Sequence, residues 1–213
     1  MSSKMPHTVQ SMLPAAVDPS LPEFNHQLKD LGEGRFLARA KHNITVQLGA
    51  SGEARMRSEY GLSSYGDTKR GMSLQLTPNV ETTIKALDKQ VAEIYKANAR
   101  TWFKGKDKRL TQHQLLKTDD EGNAFITVKV VCEGDHCTKI HTKESQDAPV
   151  EVGTIESLNR GCECYVMAVI NHLWFTDDHY GVTLLAKVIL TKPGTNDQPG
   201  VESMGLGGNF VWE

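Results

Sequence analysis

The sequence predicts a mainly β, α+β fold with one long helix inserted between strands. Strict alternation from Arg35 to Leu48, a 3.6-residue period from Val80 to Ile94, and two β-rich runs near the end carry that prediction.

In the first run, Phe36, Ala38, Ala40, His42, Ile44, Val46 and Leu48 share one parity. Arg35, Leu37, Arg39, Lys41, Asn43, Thr45 and Gln47 share the other. Strand side chains alternate between faces, so this is a half-buried strand with a basic outer side. The Gly- and Ser-rich segment from Gly49 to Gly71 reads as a hairpin or long loop leading to a short strand, Met72 to Leu76. Thr77 and Pro78 then start a helix, because proline suits the first helical position and Glu81 complements the positive end of the dipole. Val80, Ile84, Leu87, Val91 and Ile94 mark its apolar face, and it should run to about Phe103.

Beyond the turn Lys104 to Arg109, a short helical piece is expected around Leu110 to Leu116, and a strand over Ala124 to Cys132. The closing runs, Cys162 to Phe175 and Val182 to Thr191, are joined by TDDHYG, whose Asp and Gly residues suit a turn. Their apolar residues fall on both parities, which predicts strands covered on both faces.

The 213 residues are enough for one substantial core. The predicted organisation is an extended arm over 1–33 with prolines at 14, 19 and 22, one domain over 34–192, and a flexible Gly-rich tail over 193–213. No apolar run reaches the roughly 18 residues that would cross a bilayer, and the first residues lack a signal-peptide core. An intracellular protein, cytoplasmic or nuclear and without a membrane partner, is expected, with its four cysteines reduced.

The net charge is −2, so any binding of a polyanion must come from a local patch. Arg35, Arg39 and Lys41 make one row on the first strand. Arg55, Arg57, Lys69 and Arg70 follow in the loop beside Tyr60 and Tyr65, and Lys104, Lys106, Lys108 and Arg109 follow the helix. Interleaved cations and rings are what a single strand of nucleic acid needs, since cations hold phosphates and rings stack on any base. For the basic row, the competing reading is an ordinary solvated face. Trp102 and Phe103, at the end of an amphipathic helix, read as core.

Cys132, Cys137, Cys162 and Cys164 admit two readings, a four-thiolate zinc site or free thiols, and neither pair has the common two-residue spacing of a zinc ribbon. Neither GxSxG nor HExxH occurs, and GLGG near the end is not a phosphate loop. No enzyme is expected.

The basic first strand, GMSLQLTP leading into a helix that ends NARTWFKGK, the strand AFITVKV, and the closing pair CYVMAVINHLWF and YGVTLLAKVIL together resemble OB-fold single-stranded DNA-binding proteins of large DNA viruses and phages. The resemblance spans about residues 35 to 192 and is one of pattern. It implies an OB-like Greek-key β-barrel that binds single-stranded DNA without sequence preference in DNA replication, recombination or repair. It also implies a viral protein whose C-terminal tail contacts replication proteins. The phage members often end in a strongly acidic tail, whereas this chain ends Asn209-Phe-Val-Trp-Glu213. RNA as an alternative ligand and a homo-oligomeric state stay open. The rival functions are a viral structural or scaffold protein acting through protein contacts, and a small zinc-binding regulator.

Overall fold

A computed structural model describes residues 23–50, 53–64, 69–105, 108–145 and 147–192, apart from the side chains of Ser64 and Lys69. The elements are β1 (Lys29–Gly32), β2 (Arg35–Leu48), β3 (Met56–Arg57), β4 (Leu62–Ser64), β5 (Lys69–Gln75) and α1 (Pro78–Trp102). They are followed by β6 (Thr111–His113), β7 (Lys117–Thr118), β8 (Ala124–Val131), β9 (Lys139–Thr142), β10 (Glu151–Val152), a short 3-10 turn at Ile155–Ser157, β11 (Glu163–Phe175), β12 (His179–Val182) and β13 (Leu184–Lys192).

The strand β11 organises the molecule. Along one edge it pairs antiparallel with β2, from Val166 opposite Leu48 to Phe175 opposite Phe36, and then with β3 at Cys164 and Met56. Its other edge pairs antiparallel with β13. From β3 the sheet continues through β5 to β8, and β8 returns to β13 by a parallel pairing, Val128 opposite Leu184. The segment β2–β3, with β5, β8, β13 and β11, is therefore a closed five-stranded ring of mixed direction, with α1 inserted between its second and third strands in chain order. That is the OB-like barrel with a long inserted helix that the sequence predicts.

Inside the ring, alternate residues meet: Ala38 and Leu48 of β2, Met72 and Leu74 of β5, Ile126, Val128 and Val130 of β8, Ala168 of β11 and Ala186 of β13 are fully buried. Every apolar residue that marked the helix face, Val80, Ile84, Leu87, Val91 and Ile94, is buried. At roughly 1.5–3 kcal/mol per buried aliphatic side chain, that stripe holds the helix to the barrel more strongly than its end caps do. Thr77 is the N-cap and Pro78 opens the helix as expected, while Lys104 and Gly105, with φ of 52° and 81°, turn the chain away after Phe103.

Three differences from the sequence reading have physical causes. Within β2 the ladder slips between Ile44, opposite Ile170, and Arg39, opposite His172. Residues 40–43 bulge outward, and the chain before β1 docks there through an Asn25 N–H to Arg39 carbonyl bond and a Phe24–Ala40 bridge. Phe24 is itself buried, edge-on to the Trp102 ring. Residues 23–33 of the predicted arm thus lie against the body, and the rest of the arm and the tail from 193 lie outside the described residues.

Around residue 110 the expected helical piece is the strand β6, because its backbone finds a parallel partner in β12, His113 opposite Gly181. Asp88 of α1 fixes the following bend: its carboxylate accepts the Leu115 and Leu116 N–H groups at 2.9 and 3.1 Å. Finally, β11 is not covered on both faces throughout. Between Leu173 and Phe175, both fully buried, Trp174 is turned outward and partly exposed.

Candidate nucleic-acid interface

The basic row of the first strand does not act as a row. Arg35 is exposed and pairs with Glu33 at 2.8 Å, and Lys41, carried out of line by the bulge, pairs with Glu23. That bond holds the Glu23 carboxyl below its usual range. Arg39, exposed, is the one of the three that stands opposite a β11 residue, His172.

Arg55 is structural: both of its terminal nitrogens donate to the Lys143 carbonyl at 3.2 Å, and it lies over the Tyr165 ring. Arg57 is exposed and sits opposite Glu163. Tyr60 is 77% exposed in the loop after β3, a free aromatic platform. Lys69 takes its place in the ladder opposite Val131, and Arg70 is half-buried near Glu156. Tyr65 and Lys106 lie outside the described residues. Lys104 and Arg109 are exposed, while the Lys108 ammonium lies over the Phe103 ring, 3.8 Å from Asp177.

What the fold does bring together is a face that the basic clusters of the sequence do not mark. On β11, His172 and Trp174 share the side opposite Leu173 and Phe175. On β8, Phe125, Thr127 and Lys129 share the side opposite buried Ile126, Val128 and Val130. Arg39 and Lys129 are both close enough to His172 to depress its basicity, although burial is the larger cause. Strands β2, β11 and β8 therefore bring two permanent cations within electrostatic reach of one latent cation.

Next to them the Trp174 ring lies against Gly181. A Cβ at position 181 would sit 2.7 Å from the ring, so only glycine leaves it room. His113 flanks the same ring at 5.7 Å between centroids, tilted by 54°. Burial, and after it Lys117 and His179, keep His113 below the usual imidazole value. Lys117 in turn stands across from Phe125 in the β7–β8 ladder. The face thus carries two partly exposed rings, Trp174 and Phe125, among Arg39, Lys129 and Lys117, with two histidines held neutral.

Three solved structures of phage proteins are similar to this chain. The single-stranded DNA-binding protein from bacteriophage Enc34 is 16% identical with a TM-score of 0.41, over 87% of this chain and 94% of that one. The same protein in complex with ssDNA is 17% identical with a TM-score of 0.40, over 85% and 98%. The single-stranded DNA-binding protein gp2.5 of bacteriophage T7 is 11% identical with a TM-score of 0.43, over 75% and 92%. No protein-family model and no curated protein matches the sequence.

The cysteines do not gather. Thr138, next to Cys137, bonds to Ala186, whereas Cys164 lies opposite Thr191, five residues farther along β13. At about 3.3 Å per residue, that offset is far longer than a shared zinc ion with bonds of about 2.3 Å permits. Among the described residues no three His, Cys, Asp or Glu side chains are placed to hold a metal. Burial raises the Cys162 and Cys164 thiols above the usual value, so both stay protonated at neutral pH. Among the described residues no helix is long and apolar enough to cross a membrane.

The role of Trp174 is hidden in the sequence because Leu173-Trp174-Phe175 reads as a continuous apolar run. A signal is present in the alternation of His172 and Trp174 with leucine and phenylalanine, but it acquires meaning only once Gly181 is known to be the neighbour.

Proposed function

We propose that this protein binds single-stranded DNA without sequence preference, acting by binding and not by catalysis, on the single strands that arise in replication, recombination and repair. The observation that carries the reading is Trp174, an aromatic ring turned out of the barrel onto a glycine and set among Arg39, Lys129, Lys117 and two histidines. An outward ring offers every base the same π-face, and fixed cations beside it hold the phosphates on either side. In a chain of net charge −2 such a patch supplies the local field that the whole molecule lacks.

The phage proteins named above are described by the same activity, but the reading rests on this face alone. Tyr60 and Phe125 extend the stacking surface, and duplex DNA, whose bases are already stacked on one another, has no free base faces to offer them.

The test is competition among single-stranded DNA, duplex DNA and single-stranded RNA for a fluorescent oligonucleotide at several salt concentrations. Single-stranded DNA should compete far better than duplex, with affinity falling steeply as salt rises. Equal competition by duplex, or an affinity indifferent to salt, overturns the reading.

A further inference from the structure

Away from that face, the end of α1 and the chain after it enclose an open cavity of about 370 Å³, whose eight lining residues include Tyr95, Lys96, Arg100, Lys108 and Arg109. Four of the eight are cationic and none is a carboxylate. Lys96 and Arg100 stand one helical turn apart, a spacing at which like charges repel. Neither side chain has an ion-pair or hydrogen-bond partner among the described residues. A folded chain that holds such a pair beside Arg109, and beside Lys108 with Asp177 3.8 Å away, is set up for an anion.

A short stretch of chain links the cavity to the candidate face. From Arg109 the chain runs directly into β6, where Thr111 and His113 share one side, and His113 flanks Trp174. The few residues of chain from Arg109 to His113 reach at most about 14 Å, which a few nucleotides span. We infer that the cavity holds backbone phosphates of the same single strand after it leaves the Trp174 face, so that the binding track turns past β6 onto the C-terminal end of the helix. The inference rests on the single-strand reading and extends it to a second contact region. The two arginines suit phosphodiester groups, since their planar forks match paired phosphate oxygens.

The test compares the native chain with a Lys96→Gln/Arg100→Gln variant, both exposed helix positions where glutamine keeps a similar helix propensity. Salt dependence of binding is measured with an oligothymidine of about 5 nucleotides, near the lower limit of the usual single-barrel site size, and one of about 20, beyond its upper limit. For the long oligonucleotide the slope of log affinity against log salt should fall in magnitude by about 1.4, at about 0.7 for each phosphate no longer neutralised, with the short one unchanged. An unchanged slope on the long oligonucleotide overturns the inference while leaving the single-strand reading intact. So does an equal fall on both lengths, which would place the two residues on the primary face. A slope that stays while the variant loses affinity for a polyglutamate peptide assigns the cavity to an acidic protein segment and also overturns it. If the native chain binds neither oligonucleotide, the function reading fails first and the inference with it.

Discussion

Replacing Trp174 with alanine separates stacking from charge. The ring is partly exposed on the outer wall, lying over Gly181 with the His113 ring 5.7 Å away, while the buried residues Leu173 and Phe175 carry the adjoining core. The substitution therefore removes the proposed stacking surface with limited damage to the barrel. A base stacked on an aromatic side chain contributes about 1–3 kcal/mol, which predicts a dissociation constant about five- to 150-fold higher for Trp174→Ala. Trp174→Phe, which keeps a π-face, should recover most of that difference.

Anisotropy of a fluorescein-labelled oligothymidine, titrated at a series of salt concentrations, gives both the affinity and its salt slope. Stacking involves no counterions, so the alanine variant should shift the line down without tilting it. A dissociation constant within about twofold of the native value, or a flattened slope, would refute the placement of a base on Trp174.

The cations should behave in the opposite way: Arg39→Gln and Lys129→Gln should each flatten the salt slope by about 0.7, and together their effects should add. His172 should make both stability and the proposed binding sensitive to pH. Burial, aided by Lys129 and Arg39, sets its folded basicity below the ordinary value, so the unfolded chain takes up the proton first as pH falls. Stability is then complete above about pH 6.5 and declines as pH drops toward the folded value, a decline that urea titrations of His172→Ala should reduce. A bound phosphate favours the protonated ring, so DNA affinity should rise as pH falls through the same window, and the rise should shrink in His172→Ala. Asp88→Ala should lower unfolding stability by about 2–5 kcal/mol in urea titrations, because it strips the acceptor from two backbone N–H groups at Leu115 and Leu116.

Residues that answer to local periodicity were legible. The outer and inner sides of β2 near its ends, the helix from Pro78 with its five buried markers, and the strand from Ala124 were readable because each depends only on neighbours a few positions away. The slip at residues 40–43 was not legible, since it exists to admit Phe24 and its flanking backbone. Nor was β6, whose strand state depends on an edge offered by residues about seventy positions later. The candidate site divides along the same line. Arg39 stands out in the sequence and stands in the face, but its companions in the row, Arg35 and Lys41, are engaged by Glu33 and Glu23. Runs of basic residues are visible in any sequence, whereas the acids that neutralise them and the glycine that frees an aromatic ring come from distant segments.

The pairing of β2 with β11 also governs how the chain reaches this state. Its partners, Phe36 with Phe175 and Leu48 with Val166, are separated by more than a hundred residues, and the parallel closure of β8 on β13 spans more than fifty. Contacts so remote make the loop-closure cost fall before the reward, which places folding in the slow range of milliseconds to seconds. During synthesis, β2 and β8 must each wait with an unpaired edge until β11 and β13 emerge. A chain interrupted before Leu184 lacks β13, and with it the strand that joins β8 to β11 and closes the barrel.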